Sequence, residues 1–213
     1  MINHLNISKK IWLGISVLIL GLVIFVVAAF FGGKTIENKI NEVKTVFLPS
    51  AELSNQAKLS FGVLIDNFGK AFLESEVDLL DEAKESSNKC DLILQNIIQL
   101  DKDPKRLARI KAIRVKLKKY TDYGLIVYKE AIDLDGADMS VDLSKCIEKE
   151  SKSQVLIANE IEQLNNGYAK LLGQNLSEIQ SLSKKTASYS LILGASILII
   201  SLIVVRLLCV NGL

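Results

Sequence analysis

IWLGISVLILGLVIFVVAAFF, residues 11–31, runs for 21 residues without a charge. Wound as an α-helix it reaches about 32 Å, enough to cross the hydrocarbon core of a bilayer. A second run, ASYSLILGASILIISLIVV at 187–205, is also uncharged over 19 residues and reaches about 28 Å. A cleaved signal peptide is the rival reading of the first run, because Lys9-Lys10 resembles a basic leader. The apolar stretch is too long for that, and Phe30-Phe31 offers no small-residue cleavage site. Both runs are therefore read as transmembrane helices, 11–31 and 187–205.

Charge orients them. Lys9 and Lys10 precede the first span and Arg206 follows the second. Basic residues are retained on the cytoplasmic side, so both termini are expected inside and residues 34–186 outside. The lysines within 34–186 do not oppose this, since long translocated segments escape the rule. Trp12 and Tyr189, at opposite faces of the membrane in this topology, suit an interfacial belt. The two ends hold three of the 26 basic residues and none of the 24 acidic ones. The outer segment is thus close to neutral, without the basic excess that nucleic acid binding requires.

Between the spans, apolar residues recur at steps of three and four. One stripe holds Ile36, Ile40, Val43, Phe47, Ala57, Phe61, Leu64, Phe68 and Ala71. A second holds Val77, Leu80, Ala83, Cys90, Leu94 and Ile97. A third holds Leu107, Ile110, Ile113, Leu117, Tyr120, Gly124, Val127 and Ala131. A fourth holds Ile147, Ile157, Ile161, Leu164, Tyr168, Leu171, Ile179 and Leu182. This spacing predicts amphipathic bundle helices. Asp103-Pro104 is a helix start, Asp133 to Asp138 a turn, Ser75 or a neighbour the cap of the second helix, and Pro49 a kink. The lengths suggest an all-α, up-down-up-down four-helix bundle whose long first and fourth helices continue into the two spans. The domains are then a cytoplasmic tail at 1–10, a span at 11–31, a sensor-like bundle at 34–186, a span at 187–205 and a short end at 206–213.

Catalytic chemistry finds little support. The single histidine, His4, lies on the tail, so no His-based triad or His-rich metal site is expected outside the membrane. Asp133, Asp135, Gly136 and Asp142 resemble part of an EF-hand calcium loop. With Gly136 at the sixth position the first ligand position falls on Ala131, so the register fails. No cofactor is expected. Cys90 and Cys146 sit at heights of about 18 and 35 Å above the Asp103 turn by helix rise, too far apart for a disulfide, and both are read as core residues. Lys102, Lys105, Arg106, Arg109, Lys111, Arg114, Lys116, Lys118 and Lys119 crowd the third helix. A solvated face is the plainer reading of that cluster, and lipid headgroup contact the alternative.

The order of features carries a resemblance. A basic tail and anchor lead into Val43-Lys44-Thr45-Val46-Phe47-Leu48-Pro49. A helix ending Ala71-Phe72-Leu73-Glu74 follows, then Leu79-Leu80-Asp81-Glu82-Ala83-Lys84, and a long fourth helix enters the second anchor. This resembles the N-terminal transmembrane and four-helix-bundle ligand-binding region of bacterial methyl-accepting chemotaxis proteins, over about residues 1–207. The resemblance implies an extracytoplasmic sensor in the inner membrane, a parallel homodimer, and a signal passed inward along the fourth helix and second span. The same module precedes histidine kinases and diguanylate cyclases, and a membrane-anchored assembly protein without a ligand is the alternative outside signalling. The receptors continue past the second span with a HAMP linker and signalling hairpin, whereas 206–213 read as a truncated end without the usual proline. Their ligands bind between bundle helices or across the dimer, far from the membrane. Polar residues that interrupt the seams are the candidate ligand contacts: Ser60, Asn67, Glu150 and Gln154. The arginine-rich first helix of amino-acid receptors is absent, as Arg106, Arg109, Arg114 and Arg206 all lie elsewhere. The ligand, small molecule or protein, is left open.

Overall fold

The computed structural model describes residues 7–134 and 141–210, and every regular element in them is a helix. The expected turn residues Asp135, Gly136 and Asp138, with His4 and the last three residues, lie outside the described residues. The helices are α1 (Ile7–Glu42), α2 (Leu48–Glu74), α3 (Asp78–Leu100), α4 (Pro104–Asp133) and α5 (Val141–Val210), with a π-helical turn at Val43–Phe47 between the first two. The chain divides into two compact units, one of Met1–Asn41 with Asn175–Leu213, the other Glu42–Gln174.

In the first unit, two helices are long and apolar enough to cross a membrane, and their most apolar windows bury nothing against protein. Their hydroxyls are satisfied within the helix. Ser16 donates to Trp12 O at 2.8 Å, Ser196 to Ile192 O at 2.8 Å and Ser201 to Ile197 O at 2.7 Å. That one-turn return is how a polar side chain tolerates an apolar setting. A Cβ at Gly21 would lie 3.2 Å from Ile197, and one at Gly32 would lie 2.8 Å from Thr186. Small residues let the two backbones approach there.

The second unit is built on one apolar core with contributions from α2, α3, α4 and α5. Phe61, Leu64, Phe68, Leu94, Ile97, Ile110, Ile113, Leu117, Ile161 and Tyr168 are all buried in it. A smaller cluster gathers Val127, Ala131 and Leu143, with Cys146 against it. Cys90 is a core residue whose Sγ lies 3.4 Å from Ala57 O, and Cys90 and Cys146 are both free thiols. Burial, then the neighbouring Asp91, pushes the Cys90 thiol up to about 12, which keeps it protonated and inert.

The ends of the helices have local causes. Asp103 caps α4 by accepting from the Arg106 amide at 2.8 Å, with Pro104 at the first turn. Ser75 acts differently from its expected role as a cap of the following helix. It closes α2 in the left-handed region at φ 55°, and α3 starts behind Val77 without a side-chain cap. Asp78 and Asp81 in the first turn of α3 complement its dipole instead. Pro49 follows directly on the π-helical turn. Proline lacks the amide for an α-helical bond and its ring crowds the carbonyl four residues back. The wider π turn, closed by Leu48 N to Val43 O, makes room for it.

Candidate functional site

Buried polar atoms are nearly always hydrogen-bonded, so those that are not point to a place with a purpose. Among the described residues three buried side-chain atoms have no partner: Ser50 Oγ, Tyr120 Oη and Glu150 Oε1. The residues that carry the last two, Tyr120 and Glu150, are in the wall of one cavity of about 430 Å³ between α4 and α5, with the two oxygens themselves turned away from accessible space. Lys116, Lys119, Tyr123, Lys149, Ser153, Leu156 and Ile157 complete its wall.

The local fold explains how a carboxylate came to be buried there. Gly124 belongs to the apolar stripe of α4. A Cβ on it would meet Glu150 Oε1 at 2.8 Å and two Phe68 ring carbons at 2.9 and 3.0 Å. The missing side chain lets Glu150 lie against the α4 backbone at 1 % exposure. Glycine inside a helix costs about 1 kcal/mol relative to alanine, so the close approach is maintained against propensity. Behind the cavity stands a run of aromatic rings. Tyr120 packs against Phe61 and Phe68 with centroids 5.7 and 5.8 Å apart, and Tyr128 stacks on Phe68 at 4.9 Å. These contacts from α2 fix the Tyr120 ring and hold its hydroxyl in place.

Electrostatics follow from the burial. Desolvation pushes the Glu150 carboxyl up to about 7, against the opposing pull of Lys149. Burial also raises Tyr120, with Tyr128 and Glu150 adding to the effect, so its hydroxyl stays protonated. Around the cavity, Lys116 pairs with Glu160 at 2.5 Å and Lys149 sits 5.3 Å from the Tyr123 ring centroid. Lys119 is exposed and has no ion-pair partner among the described residues. The cavity wall thus holds a buried, neutral or half-ionised carboxyl, with cations around it.

Of the four polar residues expected at a ligand site, Glu150 lines this cavity. Ser60 and Asn67 on α2 are buried and Gln154 on α5 is half-buried; none of the three is in its wall. Tyr120 was readable only as a core residue of the α4 stripe. The coincidence of Gly124 on one stripe with an acid interrupting another was the available signal.

The basic cluster on α4 acquires a different meaning. Arg106 binds Asp101, Arg114 binds Asp91 through both Nε and Nη2 at 2.7 and 2.8 Å, Lys116 binds Glu160, and Arg109 binds Gln163 at 2.6 Å. Four of its members therefore join α4 to its neighbours or to its own leading turn, instead of lying free in solvent. A wider groove between α3 and α4, about 860 Å³, is lined by Lys84, Lys111 and Lys118. Its buried hydroxyls, Ser87 and Thr121, satisfy each other at 2.6 Å, which leaves no buried polar demand there. No grouping of three or more metal-ligating side chains occurs among the described residues.

Comparison with protein-family models, with curated proteins and with solved structures gives no match for this chain.

Proposed function

We propose that this chain is the transmembrane sensory region of a bacterial chemoreceptor. Its second unit is an extracytoplasmic up-down-up-down bundle that binds a ligand, and α5 carries the response into the second span. The observation that carries the reading is the cavity between α4 and α5, whose wall includes Tyr120 and Glu150, each with a buried oxygen that has no partner. A purely structural bundle gains nothing from leaving both unsatisfied, because each costs about 1–3 kcal/mol.

The topology is supported by cross-helix pairs. Ser54 with Asn165 and Lys58 with Glu162 run in opposite directions along α2 and α5. Ser87 with Thr121 and Asp91 with Arg114 do the same along α3 and α4. Two helices of membrane-spanning length and composition agree with an inner-membrane protein, and the lysine and arginine placement with cytoplasmic termini. The chemotaxis assignment and a homodimeric state rest on the resemblance of residues 1–207. A ligand on α4 and α5 would act by a small displacement of α5, the kind of helix shift that transmits signals in packed bundles.

The test is a thermal-unfolding screen of the full chain in lipid nanodiscs against a chemically broad panel of small molecules. A saturable rise in Tm is the expected result. Absence of any shift across acids, amines, alcohols and sugars would overturn ligand sensing.

A further inference from the structure

The carboxyl of Glu150 is sealed where a charge has no partner. The residue is 1 % exposed and its Oε1 bonds nothing. That oxygen lies in the notch that Gly124 leaves in α4, and the uncharged Phe68 ring closes the same notch from α2. Tyr120, Tyr123 and Tyr128 are the titratable groups of α4 in electrostatic reach, and each is shifted toward its protonated form. On α5, Lys149 pulls Glu150 toward ionisation and burial outweighs it, while Cys146 bonds Tyr123. The notch therefore suits the carboxyl with its proton on, because a carboxylate without donors costs far more to bury than a neutral acid.

A place for the charged form lies alongside. Another part of the Glu150 side chain borders the 430 Å³ cavity, and the wall also holds Lys116, Lys119 and Lys149. Lys116 is paired with Glu160, whereas Lys119 and Lys149 have no ion pair among the described residues. The cavity is polar at its lysines and large enough for water. It separates α4 from α5 at the level where the notch joins them.

We infer that Glu150 is a proton switch: protonated, it fills the Gly124 notch and holds α5 to α4, and ionised, it turns out of the notch into the cavity toward Lys119 and Lys149, so that α5 shifts against α4. The proton leaves to water in the cavity. The emptied notch is the structural change, and two discrete packings of α5 follow from one ionisation. The signal read by the second unit is then the acidity of the solution around it.

The use of that shift as a signal rests on the sensory reading, and the experiment separates the two. Hydrogen exchange of the full chain in lipid nanodiscs is read by mass spectrometry from pH 4.5 to 8 and corrected for the intrinsic pH dependence of exchange. Ionisation favours the open form by up to about tenfold per pH unit between the ordinary 4.5 and about 7. Protection in peptides around Gly124 and Glu150 is expected to fall by about tenfold or more across that window and to level off above it. Peptides around Asp101, whose carboxyl is ionised throughout, are expected to hold and report that the fold is intact. Glu150→Gln keeps the shape without the charge and is expected to stay protected at every pH. Lys119→Ala, an exposed change, is expected to keep the response and reduce its amplitude. Tyr120→Phe removes a hydroxyl from the surroundings of the carboxyl and is expected to shift the pH window without abolishing it. Flat protection in the parent chain, an unchanged response in Glu150→Gln, or an equal fall around Asp101 overturns the switch. A full response in Lys119→Ala overturns the lysine side of the cavity as the destination. If exchange is flat and the small-molecule panel at fixed pH still raises Tm, the chain senses a ligand other than the proton; if the switch operates and nothing on the panel binds, the proton is the ligand.

Discussion

Asp101 and Glu150 are both carboxylates buried in the same helical unit, at 4 % and 1 % exposure, and their surroundings are opposite. Asp101, in the turn between α3 and α4, accepts from the Asp103 amide at 2.8 Å, from Arg106 Nε at 2.5 Å, from Arg106 Nη2 at 2.8 Å and from the Tyr168 hydroxyl. Burial alone would raise its pKa, but the hydrogen bonds from Arg106, Tyr168 and Asp103 outweigh it and hold the carboxyl down to about 2. Arg106 and Tyr168 are both shifted upward, the former chiefly by its bond to Asp101 and the latter chiefly by burial. Glu150 has one oxygen with no partner and is pushed up to about 7. The difference teaches that burial does not decide what a carboxylate is for. A satisfied one fastens α5 to a turn, and an unsatisfied one is a cost that the fold carries.

The largest expected effect tests the fastening end. Asp101→Ala removes the acceptor for four donors and leaves the Arg106 guanidinium and the Tyr168 hydroxyl without it. Breaking one side of such a pair costs about 3–5 kcal/mol, a loss measurable by chemical denaturation of the full chain in detergent. A loss below about 1 kcal/mol would mean the network is open to solvent and contributes no more than a surface ion pair.

The two carboxylates should also respond to pH with opposite sign. The folded-state pKa of Glu150 lies above its ordinary 4.5, so folding favours its protonated form. Stability from this group is full below about 4.5, declines as pH rises to about 7 and is flat above, a change of about 3 kcal/mol. Asp101 lies below its ordinary 3.8. Its contribution is present above that value and is lost as pH falls toward 2, about 2 kcal/mol in all. Thermal melts from pH 4 to 8 of the chain and of Glu150→Gln isolate the first effect. The variant is expected to lose the decline between pH 4.5 and 7, and an unchanged slope would place the titration elsewhere.

The helix start and the buried faces around the fastening end were legible in the sequence, whereas the Asp101 network itself and the cavity were not. Asp103-Pro104 announces a helix start by residue type alone, and the stripes through Phe61, Ile110, Leu117 and Ile161 announce their buried faces by period. The two apolar runs announce membrane-competent helices by length. Such features depend on neighbours within a few residues of each other. The cavity depends on which α5 residue lies opposite Gly124, a matter of register between helices that no local pattern specifies. Ser60, Asn67, Glu150 and Gln154 all interrupt apolar seams, yet only Glu150 has an oxygen left unbonded in a cavity wall. Tyr120 was hidden because its ring fits the stripe so well, and the unpartnered hydroxyl emerges only from three-dimensional surroundings.

Gly124→Ala tests that register directly. The added methyl meets Glu150 Oε1 and Phe68 within 3.0 Å, and overpacking of this kind costs about 1–3 kcal/mol. The gain in helix propensity offsets about 1 kcal/mol of it. A net loss of about 1 kcal/mol in chemical denaturation is expected. A stabilised variant would show that Glu150 and Phe68 move aside easily and that the close approach is not held.

The smallest effect belongs to a polar pair that resembles the cavity in burial and differs in satisfaction. Ser87 Oγ lies 2.6 Å from Thr121 Oγ1, and Thr121 in turn donates to Leu117 O at 3.0 Å. With the Thr121 proton committed to the carbonyl, Ser87 must be the donor. Ser87→Ala then removes one neutral hydrogen bond and leaves only a spare acceptor on Thr121, a loss of about 1 kcal/mol. Thr121→Val should cost more, because the Ser87 hydroxyl loses its acceptor inside the core. Neither change touches Tyr120 or Glu150, so ligand affinity should hold while stability falls. The reverse pattern is expected of Tyr120→Phe, which removes a hydroxyl that bonds nothing in the unliganded chain and should leave stability equal or raised. If Ser87→Ala and Tyr120→Phe instead lower stability alike, the Tyr120 hydroxyl is already satisfied by solvent, and the contrast between fastening and binding polar groups collapses.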